Sequence, residues 1–336
     1  MVIKSYKRIL FAFICLSPFF LLTAFRDYNI GVDTAAYFWE YQFASMDSYT
    51  LRRTEPLFSS ILIFFNSMGL NFRSFLFFQS LIYYFSISLL ATFVPQKSIL
   101  AYILVIFSFG ILSFGFSGVR QSIAMSIFFV AVYLWVYRKY SWYIILGVLA
   151  FFIHNTSSIA FLVFLFATSR FTPRYSFLFL FLFAPIFSVL DVSWLSFLSD
   201  IDVKQYHYLQ ADDSFLNIKV PLSFYFVLIL SFVILALKLT NIYLPSHQSL
   251  YNVKRIEKMV VWGAVITACF FWMAMSVRLT DRLALYFVPF SGILVSWAIN
   301  SLNNSYLKVV MKALLLLILI VVFVIVNETL FFSILK

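Results

Sequence analysis

The stretch SWYIILGVLAFFIHNTSSIAFLVFLFAT (Ser141–Thr168) holds one histidine, His154, and no Asp, Glu, Lys or Arg. As one continuous helix it would outrun the ~30 Å hydrocarbon core of a bilayer and would invert every segment after it. The polar Asn155-Thr156-Ser157 behind the histidine favours another reading: two helices of about 13 residues, each roughly 20 Å long, meeting at His154. Helices that short place the histidine below the headgroups in a water-reachable vestibule. Just upstream, Gly118-Val119-Arg120-Gln121 opens a charge-free run to Tyr137. The two runs together form an apolar hairpin with Arg120 and His154 opening on the same side. Ionisable groups are costly at membrane depth, so both are candidate functional residues.

The rest of the chain agrees with this setting. Of its 336 residues 63% are hydrophobic and 11% charged, and the mean hydropathy is +0.98, which excludes a soluble domain. With 45 phenylalanines and only 8 glycines, the helices must pack through large side chains rather than close backbone approach. The expectation is an all-α, polytopic integral membrane protein forming a single membrane domain over 1–336. About eleven spans (10–12) are read at 9–25, 72–94, 98–116, 120–137, 141–153, 155–168, 174–190, 220–238, 259–276, 283–299 and 309–326. The first follows Lys4, Lys7 and Arg8, lacks a small-residue cleavage site and is succeeded by Arg26-Asp27. It reads as a retained helix rather than a leader.

The net charge of +11 does not mark a nucleic-acid partner, because the basic residues sit at the ends of apolar runs. With a cytoplasmic N-terminus, the inside collects Lys4, Lys7, Arg8, Lys97, Arg138, Lys139, Arg170, Arg174, Lys238, Lys254, Arg255, Lys258, Lys308 and Lys312. Glu257 is the one acidic residue among the 13 that falls there. This asymmetry keeps 26–71 and 191–219 as outer loops. In the first, Asp33–Met46 and Pro56–Leu70 read as helices lying in the headgroup layer, with Asp33 as a helix cap and Pro56 at a first helical position. The second carries Asp191, Asp200, Asp202, Asp212 and Asp213 beside Tyr206, His207 and Tyr208, a mixture that suits either sugar binding or plain solvation.

Arg120 suits bidentate contact with phosphate at a helix N-terminus, or simple snorkelling at the interface. Gln121 lies beside it. His154 reads as a general base or as a structural histidine bonded to a carbonyl. Arg278, Asp281, Arg282 and Tyr286 share one face if the segment is helical, Asp281 orienting one arginine while the other meets an anion. Asp33 is a second candidate base, with Glu55 and Tyr37 in support. Cys15 and Cys269 stand alone, and three scattered histidines argue against a metal site; no nucleotide motif is present. No metal and no cofactor are expected.

Taken in order, Gly31-x-Asp33-x3-Tyr37, Glu55-Pro56-x-Phe58, Arg120-Gln121-x2-Ala124, Phe152-x-His154-x2-Ser157 and Arg278-x3-Arg282-x3-Tyr286 resemble the EpsG-type branch of the Wzy polysaccharide polymerases. The resemblance runs from about 26 to 300, and the surface helices are similar to those of GT-C glycosyltransferases. It implies a glycosyltransferase of the bacterial inner membrane that joins undecaprenyl-pyrophosphate-linked oligosaccharide units, such as O-antigen units, at the periplasmic face, alongside membrane lipid and a chain-length regulator. It also implies Arg120, Arg278 and Arg282 as pyrophosphate binders and His154 as base, with Asp33 the alternative. A flippase would want polar residues through the depth of several helices, and a sugar acyltransferase would not need the outer arginines.

Overall fold

A computed structural model describes residues 2–31, 33–44, 55–170, 250–274 and 279–301, with isolated positions between 309 and 320. The described residues form helices and turns, with no strand among them. They fall into two compact units, Met1–Val163 with Val295–Lys336, and Phe164–Leu294.

The first unit begins with α1 (Val2–Ala24), at roughly 34 Å long enough to cross a bilayer. Pro18 inside it cannot donate to the Ile14 carbonyl, and the Ser17 hydroxyl does so instead (2.7 Å), which keeps the polar group satisfied in an apolar setting. The two surface helices follow as α2 (Thr34–Gln42) and α3 (Pro56–Ser67), with Pro56 in the first turn as expected. At 12 residues α3 is too short to span. Asn66 Nδ2 donates to the Tyr41 carbonyl (2.9 Å) and the Tyr41 hydroxyl to the Leu70 carbonyl (2.5 Å), tying α2 and α3 together. Trp39 and Phe43 remain more than half exposed, as a helix resting in the headgroup layer requires.

Asn71 caps α4 (Phe72–Leu90), its side chain accepting from Ser74 N at 2.9 Å. This helix packs on α1 and on α7 (Val119–Val136). Its polar side chains find partners on neighbouring segments inside the bundle. Gln79 Nε2 donates to Ser122 Oγ (2.7 Å), Tyr83 OH to the Ile111 carbonyl (3.0 Å), and Tyr84 OH meets Thr23 Oγ1 (2.9 Å). Such bonds contribute roughly 0.6 kcal/mol each in a membrane, and they fix helix register among phenylalanines that would pack in many ways. Trp297 Nε1 adds a bond to the Phe93 carbonyl (2.9 Å).

By length and composition α1, α4 with its following turn, and α7 are able to span, and a bent pair makes a fourth candidate. That pair corrects the continuous span expected at 98–116. The chain forms α5 (Ile99–Ser108) and α6 (Ile111–Ser117), bent by 56° at Phe109-Gly110. Gly110 has φ +86°, a left-handed conformation that no straight helix accommodates.

The hairpin breaks as its polar corner predicts. Helix α8 (Tyr140–Ile153) ends because His154 takes an extended backbone, φ −155° and ψ 109°, and α9 (Ser157–Arg170) starts after a turn. Within the first unit Tyr143 OH donates to the Phe161 carbonyl (2.8 Å), and Gly147 lies against the Phe161 ring, so the two short helices fold back on each other. One continuous helix over 141–168 is excluded.

The second unit contains the end of α9, then α10 (Leu250–Met273), α11 (Leu279–Ala284) and the start of α12 (Val288–Ser301). A Cβ at Gly263 would fall 2.2 Å from the Phe290 ring, so glycine is required where α10 meets α12. The span expected at 283–299 is instead interrupted at Leu285–Phe287, since Pro289 cannot be followed back into a helix and opens α12. The expected spans 174–190 and 220–238, the outer loop 191–219 and most of 309–326 lie outside the described residues.

Candidate functional site

Four elements of the first unit converge on one carboxylate. Glu55 precedes α3 with φ −134° and ψ 62°, and its side chain makes no capping bond. Its carboxylate is used elsewhere: Oε1 lies 2.9 Å from His154 Nδ1, and Oε2 pairs with Arg120 Nη1. Arg120 Nε donates to Tyr37 OH (2.9 Å). The arginine also lies over the Tyr37 and Phe58 rings, at 5.6 and 6.0 Å from their centroids.

Each side chain is delivered by a local feature. Gly118 separates α6 from α7, and a Cβ there would strike the Phe114 ring at 2.1 Å; this tight junction sets Arg120 in the first turn of α7. Tyr37 is positioned through the start of α2. Gly31 has φ +98°, and a Cβ on it would lie 2.2 Å from the Phe116 carbonyl, while Thr34 Oγ1 donates to that same carbonyl at 2.8 Å. The residues four before Arg120 and three before Tyr37 are thereby pinned together. His154 occupies the corner of the α8–α9 hairpin, its amide donating to Ala150 O (2.8 Å) and its carbonyl accepting from Ser157 N (2.9 Å).

The side chains of Arg120, Glu55 and His154 are 22%, 7% and 14% exposed, so the cluster is largely but not wholly buried. Burial works to raise the Glu55 carboxyl, but the His154 hydrogen bond and the Arg120 and His154 charges outweigh it, and the net shift is downward. Glu55 is therefore a carboxylate near neutral pH. A carboxylate on Nδ1 selects the tautomer with the proton there, which makes Nε2 the accepting nitrogen of the ring. This is the arrangement of a histidine base oriented by an acid. Once such a base takes a proton, Arg120 and His154 leave the cluster with a net positive charge.

The sequence named Arg120 and His154 together, and the structure places them on one carboxylate. Glu55, assigned only a supporting part, is the bridge. Asp33 is set apart. Its backbone is right-handed (φ −100°, ψ −7°) rather than extended, so its side chain does not cap α2 as expected, and its carbonyl accepts from Tyr37 N (3.2 Å). Gln121 is buried, 4% exposed.

The Arg278–Tyr286 cluster belongs to the second unit, and Arg278 lies outside the described residues. The expected shared face does not form. Helix α11 ends at Ala284, Arg282 is exposed, and Tyr286 is fully buried in the turn that follows. Asp281 lies in the first turn of α11 and accepts from the Arg282 backbone amide (2.5 Å). Among the described residues no three His, Cys, Asp or Glu side chains assemble as a metal site.

Comparison with known proteins found no match among curated proteins and none among solved structures. A model of the EpsG family, a family related to the Wzy-like polysaccharide polymerases, matches residues 8–335. This membrane-embedded chain belongs to the EpsG family.

Proposed function

We propose that this protein is a glycosyltransferase that polymerises oligosaccharide repeat units carried on undecaprenyl pyrophosphate, at the periplasmic face of the bacterial inner membrane. Membership of the EpsG family gives the coarser statement, a membrane polysaccharide polymerase-type activity. The observation that carries the finer reading is the bridge of Glu55 between Arg120 and His154.

In this reading a sugar hydroxyl of the incoming unit attacks the anomeric carbon of the growing chain. The bond from that carbon to the pyrophosphate oxygen breaks, and the pyrophosphate leaves with the electron pair on its lipid. The hydroxyl proton passes to His154 Nε2, with Glu55 holding Nδ1–H and stabilising the imidazolium. Arg120 holds Glu55 in place and adds positive charge on the side where negative charge develops. Of the two candidate bases, His154 has the orienting partner and Asp33 has none of the cluster's bonds. Arg278 and Arg282 remain proposed pyrophosphate ligands. No step requires a metal or a cofactor.

The test is purified protein in liposomes supplied with a lipid-linked repeat unit, with products resolved as a ladder. Chain growth that is lost in His154→Ala and Arg120→Ala supports the proposal. Wild-type protein that moves the lipid-linked unit across the bilayer without lengthening it would make the protein a flippase instead.

A further inference from the structure

Arg26 is the most deeply buried arginine described, 4% exposed, and it stands just past the end of α1. Its Nη1 donates to the Thr23 carbonyl (2.6 Å), while Nε and Nη2 have no hydrogen-bond partner. No carboxylate compensates it among the described residues. The neighbouring Asp27 is exposed and accepts from Asn29 N (3.0 Å). What surrounds the guanidinium is aromatic, with the Phe116 ring centroid at 5.8 Å. Burial draws its pKa down to about 10, against a smaller opposing effect of Tyr84, so the group remains a cation at neutral pH. An uncompensated cation with two idle donors is costly to bury.

Arg26 lines an open cavity of about 590 Å³ together with the exposed Asp27 and the apolar Pro18, Leu21, Leu22, Phe25, Ile30 and Phe116. Leu21 and Leu22 on α1 and Phe25 just past its end are 47%, 46% and 54% exposed, where lipid would lie. Hydrocarbon walls and a cationic head describe an amphiphile with an anionic end. Arg26 is linked to the Glu55 cluster through Phe116, whose ring lies under Arg26 and whose carbonyl accepts from Thr34, with Arg120 four residues further along the chain across the Gly118 junction. Arg120 gives Nε to Tyr37 and Nη1 to Glu55, so two of its five N–H donors are committed within the cluster, whereas Nε and Nη2 of Arg26 are both idle.

We infer that the α1 groove holds the prenyl chain of a lipid-linked diphosphate substrate, with its phosphate on Arg26 and its sugar toward Glu55, Arg120 and His154. This rests on the polymerase reading and deepens it. The idle donors and the missing counter-charge are explained together if the anion arrives with the substrate.

The test uses the full chain in phosphatidylcholine nanodiscs and reads saturable thermal stabilisation by four probes: a C55 polyprenyl diphosphate, the matching polyprenol, phosphatidylglycerol and inorganic pyrophosphate. The diphosphate binds at least tenfold more tightly than each of the other three, and Arg26→Gln removes that advantage while Arg26→Lys keeps part of it. Equal binding of phosphatidylglycerol would overturn the proposal in favour of a general anionic-lipid site, and unchanged diphosphate affinity in Arg26→Gln would overturn it outright. Should Arg26→Gln not fold, Leu22→Cys in a Cys15→Ser background decides: polyprenyl diphosphate slows maleimide labelling of Cys at 22 at least fivefold, and polyprenol does not. Equal or absent protection by the two refutes the site. Chain growth that persists undiminished in Arg26→Gln defeats this subsite and leaves the polymerase standing. Absence of chain growth in wild type defeats the polymerase, whatever the groove binds.

Discussion

Glu55→Gln separates an oriented base from a merely buried salt bridge. Glu55 uses its two oxygens separately, Oε1 for His154 and Oε2 for Arg120. Glutamine has one oxygen, and arginine is donor-only, so the amide oxygen turns to Arg120 and the NH2 faces His154 Nδ1. The imidazole then carries its proton on Nε2 and cannot accept another there. Inverting a histidine tautomer in this way costs about 10³–10⁴ in rate. Removing one partner of a fully buried pair costs about 3–5 kcal/mol. With Arg120 at 22% exposure, solvent screening reduces this to about 2–3 kcal/mol. The assay is the initial rate of ladder formation in liposomes beside the melting temperature of the same preparation. A monodisperse Glu55→Gln protein that extends chains within tenfold of wild type would refute the reasoning, because the tautomer would then be irrelevant to the chemistry.

Three further outcomes follow. The folded-state pKa of Glu55 is depressed below its ordinary 4.5, so its contribution to stability is present above that value and is lost as pH falls through the depressed one; the melting temperature of wild type should decline over this acid range more steeply than that of Glu55→Gln, and parallel curves would contradict the ion pair. Tyr37→Phe deletes the hydroxyl that accepts from Arg120 Nε and should lose about 1.5 kcal/mol, near tenfold in chain-growth rate, with no change above twofold counting against it. Gly31→Ala combines a left-handed φ with a Cβ 2.2 Å from the Phe116 carbonyl, and should cost about 2–4 kcal/mol, seen as a lower melting temperature in detergent; a stable variant with an unchanged melting temperature would show that the α2 junction is not as tight as described.

Much of the local architecture was legible because it rests on short-range chemistry. Pro56 cannot sit deep inside a helix, the apolar run from 72 is long enough to span, and His154-Asn155-Thr156 interrupts an apolar run with groups that need partners. Those features located α3, α4 and the hairpin corner within a few residues. The Phe109-Gly110 bend escaped because a lone glycine in an apolar run is tolerated in a helix as readily as it breaks one. The supposed face shared by Asp281, Arg282 and Tyr286 failed because the spacing rule assumes one helix, and Pro289 forces two. Within the site, topology showed an arginine and a histidine at one mouth but could not show which carboxylate lay between them. Long-range pairing across 65 and 99 residues has no period to read. One physical signal was present all the same: two costly groups near membrane depth call for a counter-charge.

The central question for this protein is whether His154 is the base of a chain-growing reaction. The deciding measurement is ladder formation by purified His154→Ala protein in liposomes with a lipid-linked repeat unit, beside wild type and Asp33→Asn. If His154 is the base, ladder formation falls about 10³-fold or more in His154→Ala and less than tenfold in Asp33→Asn. Wild-type-like ladders from His154→Ala, or collapse of activity in Asp33→Asn alone, would contradict it.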